Sequence, residues 1–336
     1  MSFRVGFTSS VLLLALLAVV TAEVQTTSSP KVVVKDYSHS RIAPPSHGST
    51  SLKGAYELSK ERLDDICNDL MYWYFDEGGD GNNGDYQTSI HSTSPQSHKN
   101  LTFELPFFGV KYNYTRVNLG GFLEFSDPPE HYTHPLKFPN PEYPEKNDPS
   151  FIGIFYSKCR IGNDGSSVDK KEPGVYYRVE SNLQNRTDQF GVELRERVRQ
   201  DIRAGNEGAE NFAPEHVIIV TWRNVSFAGG IEAALNKTNT FQVVLVTDEE
   251  AAYAIFNYDL ITWTTHTEAG GDTSTGLGGY PAFVGFNAGN GNGSFEYMPY
   301  SQTPNIWNLT TNGCGDGFSG RHIFRIDEKI TLGICP

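Results

Sequence analysis

The chain lacks the residue patterns on which many hydrolases and metal sites depend. Its 336 residues contain only four cysteines and no Cys-x-x-Cys pair, which weakens a zinc-binding interpretation. Neither Gly-x-Ser-x-Gly nor His-Glu-x-x-His occurs, so no hydrolase nucleophile elbow and no zinc-protease helix is predicted. Basic residues are also scarce. A formal net charge of −13 argues against nucleic-acid binding, which needs a basic face.

Only the N-terminus carries a long apolar run. Arg4 precedes an unbroken apolar stretch from Val11 to Val20, and Ala22 completes a small-residue cleavage site. A run of this length is too short for a membrane-spanning helix, which needs about 20 residues. The pattern predicts a secretory signal peptide over residues 1–22. No later stretch is long enough to predict a membrane span.

Secretion would expose the chain to N-glycosylation. Seven Asn-X-Ser/Thr sequons occur, and each is a predicted surface site of glycosylation: Asn100, Asn113, Asn185, Asn224, Asn236, Asn292 and Asn308.

An oxidising compartment also favours disulfides. The even number of cysteines (Cys67, Cys159, Cys314 and Cys335) predicts two bonds, with three possible connectivities among which the sequence does not choose. One pairing, Cys159–Cys335 with Cys67–Cys314, would tie the N-terminal segment to the core. We take it as the working expectation.

Two segments have the periodicity of amphipathic helices. The first is predicted over Ser59–Tyr72, with Ser59 as N-cap and Leu63, Ile66, Cys67 and Leu70 on one face. The second is predicted over Phe190–Arg203, with Phe190, Leu194, Val198 and Ile202 recurring every four residues.

The other side of the second helix carries charges of both signs. We expect an i,i+4 pair between Glu193 and Arg197. An arginine-rich face of this kind can bind an anionic glycan. A solvated face is the interpretation we favour, because acids lie among the arginines: Arg195, Arg197, Arg199 and Arg203 with Glu193, Glu196 and Asp201.

About ten short apolar segments from Leu101 onwards predict β-strands separated by turns. The predicted fold is all-β, an antiparallel sandwich or barrel with one or two peripheral helices. Residues 127–149 hold seven prolines and predict a long surface loop. We expect its aromatic residues (Tyr132, Phe138 and Tyr143) to pack on the sheet, with partner binding as the alternative.

An acidic, glycine-rich loop spans residues 75–85. Its oxygen ligands (Asp76, Asp80, Asn82 and Asp85) make it a candidate calcium site. Read as an EF-hand from Asp80, the loop has Asp85 where glycine is required and His91 where the bidentate Glu belongs. A solvated turn is therefore the better interpretation.

Other candidate chemistry lacks structural context. Gly315–Gly320 fits Gly-x-Gly-x-x-Gly, but a predicted strand follows it, whereas dinucleotide binding needs a helix there. His131 and His134 lie in the proline-rich loop. His266 and Glu268 form a potential acid/base pair with no visible third member.

Several ordered blocks resemble one extracellular family. Residues 282–293 contain Phe-Asn-Ala-Gly-Asn-Gly, and residues 320–327 read Gly-Arg-His-Ile-Phe-Arg-Ile-Asp. Residues 217–225, 239–248 and 253–258 extend the pattern, which is similar to the nidogen-like (NIDO) domain. The resemblance implies an all-β module of adhesion, matrix and junction proteins. The family has no motif that identifies partner-contact residues.

These observations predict a signal peptide (1–22), a flexible segment (23–58), an N-terminal extension (59–149) and a NIDO core (150–332). The expected function is extracellular binding, without enzymatic activity or cofactor, to matrix, cell-surface or junction proteins. We expect the chain to be secreted and held at cell junctions through a membrane partner. A glycan- or ligand-binding module, calcium-assisted through residues 76–85, is the alternative. A hydrolase using His266 and Glu268 is the third possibility.

Overall fold

The computed structural model describes residues 55–74, 86–87, 96–125, 134–138, 148–163, 172–289 and 291–335. The predicted signal peptide and the candidate calcium loop lie outside these ranges. Within them, two α-helices and fourteen strands are present: α1 (Lys60–Cys67), β1 (Tyr86–Gln87), β2 (Gln96–Phe107), β3 (Val110–Asn118), β4 (Phe122–Glu124), β5 (Phe151–Tyr156), β6 (Cys159–Ile161), β7 (Gly174–Glu180), α2 (Gln189–Gly205), β8 (His216–Phe227), β9 (Asn239–Thr247), β10 (Ala252–Leu260), β11 (Phe283–Asn287), β12 (Ser294–Glu296), β13 (Arg321–Arg325) and β14 (Thr331–Leu332).

The strands form two antiparallel sheets. The eight-stranded sheet has the order β1-β7-β8-β9-β10-β13-β14, with β6 also paired to β8. The six-stranded sheet has the order β12-β11-β5-β4-β3-β2. The largest apolar cluster takes side chains from both sheets, including Ile154 from one and Val243 from the other. The prediction of an all-β antiparallel sandwich is confirmed.

The central strands of the eight-stranded sheet are buried on both faces. On β8, Ile218 and Val220 point into the core between the sheets, whereas Val217 and Ile219 belong to a second core under α2. Strands β9 and β10 alternate in the same way. This explains why these segments read as continuous apolar runs, because a strand covered on both faces needs no polar side.

Helix α2 covers the outer face of the eight-stranded sheet. Asp188 caps its first turn by accepting from the Gly191 backbone N–H at 3.0 Å. Its predicted apolar face is confirmed: Phe190, Leu194, Val198 and Ile202 are all buried in the second core.

Helix α1 is shorter than the sequence predicted. Ser59 is the N-cap as expected, but the helix ends at Cys67, and the Asn68 N–H closes its last turn. The chain then continues as a non-helical segment through Leu70–Tyr74, in which every residue except the half-buried Trp73 is buried. Hydrogen bonds from the side chains of Arg197, Gln242 and Arg321 to this backbone replace those of the predicted last helical turn.

The described residues 134–138 of the proline-rich loop pack on the outer face of the six-stranded sheet. The Phe138 ring lies 4.6 Å from that of Phe151 and 5.8 Å from that of Phe283, between centroids. Packing is therefore confirmed for Phe138, while Tyr132 and Tyr143 lie outside the described residues.

The expected disulfide pairing is wrong. Cys314 is bonded to Cys335, 21 residues away in sequence, and Cys67 and Cys159 are free. A parallel bridge from Cys314 to His322 and a hydrogen bond from Gly315 N to Ile334 O bring the two bonded ends together. Cys67 instead lies beside Asp201, and burial together with that carboxylate raises its thiol pKa to about 12.

None of the helices in the described ranges is long and apolar enough to span a membrane.

Candidate functional site

Residues 55–74, which we call the N-terminal segment, pack against the outer face of the eight-stranded sheet. Tyr72 is completely buried there. The side chain of Gln242 on β9 binds the backbone of Tyr72 in the way that a neighbouring strand would. Gln242 Oε1 accepts from Tyr72 N at 2.9 Å, and Gln242 Nε2 donates to Tyr72 O at 3.0 Å. A side-chain amide thus supplies both hydrogen bonds that this buried peptide needs.

Arg321, at the start of β13, holds the same segment from the other side. Its Nη2 donates to the backbone carbonyls of Asp69 (2.9 Å) and Leu70 (2.7 Å). Its Nη1 donates to the carboxylates of Asp201 (3.0 Å) and Asp316 (2.7 Å). One fully buried guanidinium therefore joins the N-terminal segment, α2 and the turn before β13.

Arg197 on α2 completes the attachment. Its Nη2 donates to the carbonyls of Asp69 (2.7 Å) and Met71 (3.1 Å), and its Nη1 donates to the Tyr74 hydroxyl (3.0 Å). Its guanidinium carbon lies 3.7 Å from the centroid of the Tyr72 ring. This geometry fits a desolvated cation–π contact.

The interpretation of α2 as a uniformly solvated charged face is wrong. Glu193, Arg197 and Asp201 are each at most 3 % exposed. The expected Glu193–Arg197 pair does not appear among the ion pairs of the described residues, because Glu193 binds Arg62 on α1 at 2.9 Å. The N-terminal segment covers this side of the helix. A pattern of charges cannot reveal such a cover, because the covering residues lie more than 100 positions away.

A second anchor fixes α1 against α2. The Tyr56 hydroxyl donates to Glu193 Oε1 at 2.8 Å, beside the Arg62 pair. Burial and the adjacent Glu193 carboxylate raise the Tyr56 pKa to about 12. The phenol therefore stays a hydrogen-bond donor at physiological pH.

The contact between α1 and α2 leaves an open groove on the surface. It consists of two adjoining depressions of about 390 and 420 Å³, which share Leu63 and Glu196. Cationic side chains line it from both helices: Lys60, Arg195, Arg199 and Arg203. We call this feature the α1–α2 groove. Residues 195, 199 and 203 are thus the part of the predicted charged face that does reach the surface.

The predicted His266–Glu268 acid/base pair does not form. Glu268 makes an ion pair with Lys158 instead. His266 Nδ1 lies 2.8 Å from Ser157 Oγ, and its ring lies 4.3 Å from the ring of His134, between centroids. Burial, with the charges of His134 and Lys158, lowers the His266 pKa to about 3.

This histidine site does not have the geometry of a serine hydrolase. Ser157 is only 1 % exposed, and His266 Nε2 has no hydrogen-bond partner among the described residues. A catalytic serine needs room for a substrate at its hydroxyl and an oriented third residue behind the base. His131 lies outside the described residues.

The Gly-x-Gly-x-x-Gly string has a structural role. Residues 315–320 form the turn that leads into β13, and no helix follows them. The Asp316 carboxylate in this turn accepts hydrogen bonds from Arg321 Nη1 and from the backbone N–H of Phe318. The turn therefore positions Arg321 beneath the N-terminal segment.

Six of the seven sequon asparagines are exposed: Asn100, Asn113, Asn185, Asn236, Asn292 and Asn308. Asn224 differs. It is half-buried with φ of +50°, and its Oδ1 accepts from Thr240 Oγ1 at 3.2 Å.

Curated proteins that are similar to this chain include relatives of the family that the sequence blocks resemble. The chain is 54 % identical to protein mesh of Bombyx mori over 322 residues, covering 94 % of this chain and 20 % of that protein. It is 35 % identical to alpha-tectorin of Gallus gallus over 68 % of this chain and 10 % of that protein. It is 26 % identical to nidogen of Drosophila melanogaster over 61 % of this chain and 14 % of that protein.

The chain thus spans a fifth or less of the length of these relatives. No solved structure matches it. The nidogen-like domain model matches residues 113–328, so this chain belongs to the nidogen-like (NIDO) domain family.

Proposed function

We propose that this chain is a secreted, glycosylated protein that acts by extracellular binding in cell adhesion or epithelial junction assembly. The observation that carries the proposal is the extent of the similarity to protein mesh. It covers 94 % of the chain, whereas the family model begins only at residue 113. An alignment that leaves so few residues unmatched must include the N-terminal segment around residues 55–74.

The fold gives this longer similarity a physical meaning. Arg197, Arg321 and Gln242 lie inside the family-model range, and all three bind the backbone of residues 69–72, outside it. The N-terminal segment and the NIDO domain therefore form one folded unit. We propose that residues 59–332 act together, with the segment as part of the binding surface.

A binding role also fits the chemistry of the described residues. Their three buried histidines lie in packed surroundings: His322 binds the Tyr297 hydroxyl and the Leu309 carbonyl, His266 contacts Ser157, and His216 stacks on Phe103. We propose matrix, cell-surface or junction proteins as partners, and retention at cell contacts through one that is membrane-anchored.

The test is the location of the tagged full-length chain in a polarised epithelium of its own organism. We expect concentration at lateral cell contacts. A matched chain lacking residues 1–22 should remain inside the cell and show no contact signal. Uniform release of the full-length chain into medium and lumen would overturn the junction role.

A further inference from the structure

Three arginines of α2 form a row along the α1–α2 groove. Arg195, Arg199 and Arg203 are spaced by four residues, so they lie on one side of the helix, about 6 Å apart along its axis. The chain as a whole has a formal net charge of −13. A row of one sign is therefore a local departure from the charge of the protein.

The groove itself is strongly cationic. Four basic side chains and a single carboxylate, Glu196, line its two depressions, which gives a formal charge of +3. Other acids of α1, such as Glu61 and Asp65, do not line either depression. Glu196 pairs with both Arg195 (3.1 Å) and Arg199, so this one carboxylate is shared between two of the four cations.

The outer arginines are held in place by the fold. Arg195 Nη1 donates to Leu183 O at 2.9 Å, and Arg203 Nη2 donates to Phe212 O at 2.9 Å. A guanidinium has five N–H donors and no acceptor, so each retains donors for a ligand. Preorganised guanidinium groups suit oxyanions such as sulfate and carboxylate, because two oxygens of one anion can accept two parallel N–H bonds.

We propose that the α1–α2 groove binds a linear acidic polysaccharide through Arg195, Arg199, Arg203 and Lys60. The row of cations at regular intervals matches a polymer that carries anions at regular intervals. Apolar side chains (Leu58, Leu63, Val192 and Ala204) share the lining with the cations, so comparison with an acidic peptide is part of the test. The proposal rests on the extracellular setting proposed above, but not on the junction role.

The test uses the secreted full-length chain and heparin as the probe, with binding measured by calorimetry and by heparin-column elution. We expect binding near 0.1 M salt and release near 1 M, where the Debye length falls to about 3 Å. The double variant R199Q/R203Q should bind about tenfold more weakly, since two exposed charge contacts are lost. The variant K237Q/K329Q has the same change in charge at exposed lysines outside the groove and should bind like the wild type.

Three outcomes would overturn the proposal: no binding of heparin at low salt, equal binding by R199Q/R203Q and the wild type, or poly-glutamate binding as tightly as heparin. The last would make the groove a site for acidic peptides. The melting temperature of each variant checks that folding is intact. Because these measurements need no cells, heparin binding can fail while junction localisation holds, and the reverse.

Discussion

Arg321 and Asp201 form a buried ion pair, with Arg321 Nη1 3.0 Å from Asp201 Oδ2. The arginine begins β13 and the aspartate lies on α2, 120 residues earlier. The pair also binds the N-terminal segment, through the Leu70 carbonyl on one side and the Tyr72 hydroxyl on the other. Three parts of the chain that are distant in sequence therefore depend on one charge pair.

Replacing Arg321 by alanine should destabilise the protein strongly. The change leaves Asp201 buried without its cation and the Leu70 carbonyl without its donor, whereas the Asp69 carbonyl keeps its bond from Arg197. We expect a loss of about 3–5 kcal/mol in the free energy of unfolding, measured by urea denaturation. Lys111→Ala is the control, because Lys111 and its partners Glu104 and Glu250 are all exposed. It should change stability by less than about 1 kcal/mol. Similar losses in both variants would contradict the buried role of Arg321.

Gln242→Leu should also destabilise, through the backbone of Tyr72. Leucine has a similar size but cannot pair with the N–H and carbonyl of this buried peptide. We expect a loss of about 1–3 kcal/mol in the free energy of unfolding. Limited proteolysis should then cut first within residues 55–74. Gln200→Leu, on the exposed side of α2, should leave both measurements unchanged. Protection of residues 55–74 in Gln242→Leu would refute the proposed pairing.

Acid should destabilise the protein through its buried histidines. Burial lowers the pKa of His266 to about 3 and that of His322 to about 4. Between these values and the ordinary histidine pKa of about 6.5, the unfolded chain binds protons that the folded chain does not. The free energy of unfolding should therefore fall as pH falls from about 6.5 to about 4. At pH 4.5, each histidine should account for a loss of about 2 kcal/mol in the free energy of unfolding relative to neutral pH.

The variant His266→Gln isolates one of these contributions. Glutamine can still meet Ser157 but cannot be protonated in this range. The melting temperature of this variant should fall less than that of the wild type between pH 6.5 and pH 4.5. The charged neighbours Lys158, Glu268 and His134 are the same in both proteins, so the difference reports on His266. Parallel pH curves for the two proteins would show that His266 is protonated in the folded state.

The chain should contain two free thiols. Cys314 and Cys335 are bonded, and Cys67 and Cys159 are not. Thiol titration should find two reactive groups in the unreduced chain after unfolding, and one in the variant Cys67→Ser. Both should react slowly in the native state, because burial raises both thiol pKa values. A chain without free thiols would instead support two disulfides.

Local patterns predicted most of the fold. Phe190, Leu194, Val198 and Ile202 identified the buried face of α2 because helical periodicity is a property of neighbouring residues. The apolar runs in β8, β9 and β10 identified the central strands for the same reason. The end of α1 was predicted too late, since distant side chains bind the backbone at Asp69–Tyr72.

The candidate site was predicted only in part. Arg195, Arg199 and Arg203 were visible as a basic pattern, and the structure places them along the α1–α2 groove. Arg197 belongs to the same pattern, yet it is buried against Tyr72. Helical spacing places Arg197 on a different side of α2 from the other three arginines, but it does not show which side is buried, because burial depends on which other segment covers the helix. An aromatic-rich run such as Leu70–Tyr74 after a short helix is the one hint that the segment itself is buried.

The amino-acid sequence alone was enough to predict the family, the antiparallel sandwich and the positions of the main strands and helices, and it lacks the standard catalytic motifs. These depend on short-range periodicity and on ordered blocks of residues. The three-dimensional fold was needed to show that Cys314 pairs with Cys335 and that Arg321 binds Asp201 beneath the N-terminal segment. It also decided which arginines of α2 reach solvent. Such contacts join residues far apart in the chain, and their energies depend on distance and burial, which folding sets.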